Sequence, residues 1–142
     1  MKTKNVLAVV TIAGLSAACA QFGHGFGAGQ PCSNGQCKVT VTLAADCRIG
    51  VDPEVIDVPE GGATHIHWKI AAASAPATFD VNGISFPPGQ NPGQFDEKEL
   101  QLNGKQFHWR DKNTQAGRFK YAINLRDEQG RLCHLDPFIH NQ

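Results

Sequence analysis

Apolar and polar residues alternate with a period of two through most of the chain after residue 38, most clearly over residues 117–126. Phe119, Tyr121, Ile123 and Leu125 fall on one side of an extended strand. Arg118, Lys120, Asn124 and Arg126 fall on the other, with Ala122 neutral. Aromatic and β-branched side chains suit a pleated surface with one buried face, so the segment predicts a strand lying on a core. The same pattern sets Val39, Val41 and Leu43 against Thr40 and Thr42, and Ile66, Trp68 and Ile70 against His65, His67 and Lys69. Residues 55–58 form a shorter strand between Asp52-Pro53 and the turn Pro59-Glu60-Gly61-Gly62, and residues 71–77 read as a connection. No helical period, internal repeat or charge block occurs after the first twenty residues.

Asn-Gly pairs carry the register information, because both residues of a two-residue hairpin turn need positive φ. A turn at Asn103-Gly104 pairs Leu102 with Lys105, Leu100 with Phe107 and Lys98 with Trp109, gathering the apolar residues on one face. The other face then pairs Glu99 with His108 and Glu97 with Arg110, each contributing a fraction of a kcal/mol to about 1 kcal/mol. A turn at Asn82-Gly83 pairs Val81 with Ile84 and Phe79 with Phe86. Residues 87–93 between these hairpins form a surface loop. A final hairpin through Glu128-Gln129-Gly130, with Gly130 left-handed, faces Leu125 with Cys133 and Ile123 with Leu135. It buries Cys133 and turns His134 and Asp136 outward; a four-residue loop would instead drive His134 into the core.

Seven to nine short strands separated by regular turns predict an all-β fold, an antiparallel Greek-key β-sandwich. The segment Ile49-Gly50-Val51-Asp52-Pro53-Glu54-Val55-Ile56-Asp57-Val58-Pro59-Glu60-Gly61-Gly62, leading into His65-Ile66-His67-Trp68, resembles the opening of cupredoxin-like (plastocyanin-like) domains. Gly117-Arg118-Phe119-Lys120-Tyr121-Ala122-Ile123 resembles their late tyrosine strand, so the likeness covers about residues 38–139. It implies a cupredoxin/immunoglobulin-like sandwich. It does not imply a blue-copper centre, which needs two His, one Cys and usually a Met. The thiolate region holds Ile123 and Leu125, residues 69–82 contain no His, and Met1 is the one methionine.

Composition adds a compartment. The chain has 142 residues, enough for one domain with a sizeable core. Lys2 and Lys4, an apolar run over residues 6–15 and Ala18-Cys19-Ala20 read as a signal peptide over 1–20, with the mature chain starting at Gln21. Lipid anchoring through Cys19 is the alternative, although Leu15 stands one place too early for a lipobox. The remainder divides into a Gly-rich leader with a small Cys loop over 21–37 and the sandwich over 38–142. Thirteen basic and thirteen acidic residues become 11 against 13 once Lys2 and Lys4 leave, a net charge of −2. That balance argues against nucleic acid as a partner, and no later run is long enough for an integral membrane segment. Cys32, Cys37, Cys47 and Cys133 then remain, an even number that in an exported, periplasmic or secreted chain reads as disulfides. Asn34-Gly35 brings Cys32 to Cys37, and elimination pairs Cys47 with Cys133, one of three connectivities.

Chemistry is sparse. Ser33, Ser74 and Ser85 stand in no nucleophile motif, and the hairpin accounts for Asp96, Glu97 and Glu99, so no catalytic residue is predicted and the chain reads as a non-enzyme. The function left is a binding or assembly module for an unidentified protein or small molecule, using a sheet edge or the 87–93 loop. The alternative is a copper or zinc binder using outward histidines. His65-x-His67 places two imidazoles on one side of a strand, roughly 7 Å apart. His108 and His134 also point outward in the predicted registers, and the metal reading depends on one of them lying beside the pair. His24 sits in the leader and reads as solvated.

Overall fold

The computed structural model describes residues 32–74, 76–89 and 93–142. The expected signal peptide over 1–20, Cys19, Gln21, His24 and the middle of the 87–93 loop lie outside them. Eleven strands run in the order β1 (Gln36–Leu43), β2 (Ile49–Asp52), β3 (Val55–Val58), β4 (Thr64–Ile70), β5 (Thr78–Ser85), β6 (Phe95–Gln101), β7 (Gln106–Asp111), β8 (Gly117–Lys120), β9 (Ala122–Arg126), β10 (Leu132–Leu135) and β11 (Phe138–Asn141). The fold is all-β and sandwich-like. The strand count exceeds nine because two long strands are interrupted.

One sheet has the order β2-β1-β4-β7-β6; the others are β10-β9-β5 and β3-β11-β8. The two smaller sheets are halves of one layer. Lys120 pairs with Phe138 and Ile123 with Leu135, the same register on both sides of Tyr121 and Pro137. Pro137 has no N–H to donate, so the ladder is interrupted there, although its carbonyl still accepts from Tyr121 N at 3.1 Å. The final hairpin has the predicted register, Cys133 with Leu125, and Gly130 has φ 79°.

Three expectations require correction. The sheets are mixed, because β1 pairs with β4 and β3 with β11 in parallel. Asn82-Gly83 makes no hairpin. β5 is a single strand along β9, pairing Phe79 with Leu125 and Ile84 with Ile123, with a bulge between. Burying Phe79 and Ile84 on the same layer outweighs the local turn preference, while Val81 is left exposed. Gly83 is there because a Cβ would sit 2.7 Å from Phe79 Cβ and 2.9 Å from the Asp80 carbonyl. The third correction concerns the Asn103-Gly104 hairpin, whose register holds for Glu99 with His108 and Leu100 with Phe107. It then slips, so Asp96, not Glu97, faces Arg110. Glu97 has φ 54° at this bulge and still pairs with Arg110 at 2.7 Å. Leu100 and Leu102 remain exposed at the sheet edge.

Between the layers lie Ile56, Ile66, Trp68, Phe107, Tyr121, Ile123, Leu125 and Ile139, all essentially without solvent contact. Trp68 Nε1 donates to Tyr121 Oη at 3.2 Å, tying one layer to the other. Burial pushes the Tyr121 hydroxyl far up. Disulfides join Cys32 to Cys37 and Cys47 to Cys133, with Cα–Cα distances of 4.4 and 5.3 Å. Asn34 and Gly35 both have positive φ, and Ser33 and Gln36 exchange two backbone hydrogen bonds around them. The small ring is therefore a two-residue hairpin that opens β1, with Cys37 buried.

Candidate functional site

The outer face of the five-stranded sheet carries the histidines. On β4, Ile66, Trp68 and Ile70 are buried, so His65, His67 and Lys69 point away from the core. β7 runs antiparallel beside it with His108 opposite His67. β6 continues the row with Glu99 opposite His108, and β1 completes it with Lys38 beside His67. A line of side chains thus crosses four strands in the order Lys38, His67, His108, Glu99, positive at one end and negative at the other.

His108 meets His65 edge to edge, with near-parallel planes and ring centroids 5.2 Å apart, and its ring lies alongside that of His67 with centroids 4.7 Å apart. This cover leaves His108 only 8% exposed although it faces outward. His65 Nδ1 and His108 Nε2 are 2.9 Å apart. Such a hydrogen bond needs one nitrogen to donate and one to accept, so it exists only while at least one ring is neutral. Gln106 Nε2 donates to His67 Nδ1 at 3.2 Å, which directs the His67 proton to Nε2. Burial, then the charges of neighbouring His108, His65 and Lys38, hold the His67 imidazolium below its ordinary range. Burial and His65 do the same to His108, against a smaller opposing pull from Glu99 and Glu97. Neutral rings are what a borderline metal ion requires, and here the acceptor nitrogen of His67 is engaged by Gln106 and that of the His65–His108 pair by their shared proton.

His134 does not join this group. It lies on β10 in the other layer, with Nδ1 2.8 Å from Asn124 Oδ1 and Nε2 2.7 Å from Asp136. His140, on β11, pairs with Asp57 at 3.0 Å. Among the described residues, the group of three potential ligand atoms that converge within 4.8 Å is Cys47, Asp127 and Cys133, whose sulfurs are committed to a disulfide; the nitrogens of His65, His67 and His108 do not all converge to that distance. Lys38 and Gln106 escaped notice as neighbours of the histidines, whereas Glu99 was placed opposite His108 in advance. For Glu99 and His108 the Asn103-Gly104 register supplied the signal; for Lys38 no signal existed, because parallel pairing has no local turn to announce it.

No protein-family model matches the chain, and no curated protein is significantly similar to it.

Proposed function

We propose that this chain is an exported, non-enzymatic binding protein whose ligand is a divalent transition metal ion, copper(II) or zinc, held by His65, His67 and His108. The observation that carries this reading is the approach of His65 Nδ1 to His108 Nε2 at 2.9 Å, with the third ring stacked alongside. Two nitrogens on a tetrahedral ion at 2.0–2.1 Å stand about 3.3 Å apart, so opening this contact by a few tenths of an ångström admits the metal in place of the shared proton. His67 becomes the third ligand by swinging off the His108 face, and Glu99 is the carboxylate nearest in register. The metal chemistry needs no electron-transfer centre. Ile123 and Leu125, at the thiolate positions of the cupredoxin-like scaffold in this reading, are fully buried aliphatic residues.

Export is supported by the signal-like residues 1–20 and by two disulfides that suit an oxidising compartment. A sheet edge is a weaker docking site. β6 carries Asp96, Glu97, Lys98 and Glu99 and is bulged, and β5 is bulged too, both features that discourage strand addition. No helix among the described residues is long and apolar enough to cross a membrane. Calorimetric titration with copper(II) and zinc tests the proposal: one ion per chain is expected, with H108A losing at least about tenfold in affinity. Unchanged binding in H108A contradicts it.

A further inference from the structure

Next to the histidine row, on its basic side, the sheet surface sinks into a groove of about 480 Å³. It is lined by Gln36, Lys38, Val39 and Thr40 of β1, His67 and Lys69 of β4 and Gln106 of β7. The registers explain the convergence. Lys38 lies beside His67 and Thr40 beside Lys69 in the parallel β1–β4 pair, while Lys69 faces Gln106 across β4–β7. No acidic side chain lines the groove. Among the described residues neither Lys38 nor Lys69 pairs with a carboxylate, whereas Arg48, Arg110, Lys112, Lys120, Arg126 and Arg131 all do. The rim is rich in donors: two ammonium groups, the Thr40 hydroxyl, the amides of Gln36 and Gln106, and His67 Nε2–H.

We propose that this groove binds a small oxyanion, a molecule carrying phosphate or paired carboxylates, with Lys38 and Lys69 as the charged contacts. Two like charges on adjacent strands repel each other, and an anion between them removes that repulsion while accepting their hydrogen bonds. The volume lies within the range of small-molecule sites. The site stands on the lysines and is independent of the metal reading.

The test uses the exported chain stripped of metal on a chelating resin, so that a failure of metal binding does not enter. Amide shifts in two-dimensional NMR are followed while inorganic phosphate or malonate is added at constant ionic strength set with chloride. Saturable shifts at Gln36, Lys38, Lys69 and Gln106 are expected, with K38Q/K69Q weakening the binding at least about tenfold and R48Q, at an exposed site outside the groove, leaving it intact. Saturation with phosphate alone identifies a phosphate-bearing ligand, and saturation with malonate alone a dicarboxylate. Shifts that never saturate, that scatter over other surfaces, or that persist at full affinity in K38Q/K69Q overturn the proposal. Both lysines are exposed, so the double variant is expected to fold, which circular dichroism checks.

Discussion

Replacing Cys47 and Cys133 together by alanine should cost far more stability than replacing Cys32 and Cys37. The two bridges differ chiefly in the length of chain they close, with sequence separations of 86 and 5. In the chain-entropy model the long loop contributes about 4.6 kcal/mol and the small ring about 2 kcal/mol at 25 °C. Cys133 also lies in the core, opposite Leu125, so its loss adds a packing term in the same direction. For a folded unit of about 110 residues, 1 kcal/mol corresponds to about 4 °C in Tm. The long-range pair should therefore lower Tm by about 20 °C and the ring pair by about 8 °C, with measured values falling somewhat short of both. Differential scanning calorimetry of the two double variants reads this directly, and the double substitutions avoid stranding a free thiol. Equal losses, or a larger loss for the ring pair, would refute the loop-length reasoning. Peptide mapping without reduction that joined Cys32 or Cys37 to Cys47 would refute the pairing itself.

Other changes probe single contacts. G83A drives a methyl group into Phe79 Cβ and the Asp80 carbonyl and should destabilise by about 1–3 kcal/mol in urea titrations; a neutral result would mean the bulge relaxes freely. Y121F leaves the buried Trp68 N–H without its acceptor and should cost about 1–3 kcal/mol by the same assay, against no change if the layers are tied elsewhere. The folded-state pKa values of His67 and His108 lie below the ordinary 6.5, so the unfolded chain binds more protons. Stability should then fall as pH drops below about 6.5. The groups facing this pair are His65, Lys38, Glu97 and Glu99, and H108Q should flatten the dependence between about pH 7 and pH 5. A slope equal to that of the unsubstituted chain would show that the imidazoles are not its source.

Much of this architecture could be read from side-chain alternation, because burying one face leaves a strand no choice of orientation. Phe119, Tyr121, Ile123 and Leu125 are buried as their spacing requires, and local turns fixed Cys133 against Leu125 and Glu99 against His108. The parallel pairs were not legible. β1 and β4 are joined by a long excursion through β2 and β3, and nothing at either end marks their alignment. Asn82-Gly83 misled because a residue pair that suits a tight turn also suits a bulge, and only Leu125 and Ile123, some forty residues away, decide between them. The site divides in the same way. His65-x-His67 was visible within one strand, whereas the approach of His108 to both depends on the β4–β7 pairing and the Lys38 groove on β1.

In the proposed site three imidazoles on one sheet face hold one metal ion. Crystals of the zinc-loaded chain, with anomalous data collected on either side of the zinc edge, test it most directly. One strong peak per chain is expected, about 2.0–2.1 Å from a ring nitrogen of each of His65, His67 and His108. A peak at His134 or His140 instead, or fully loaded crystals with no peak at the stacked rings, would contradict it.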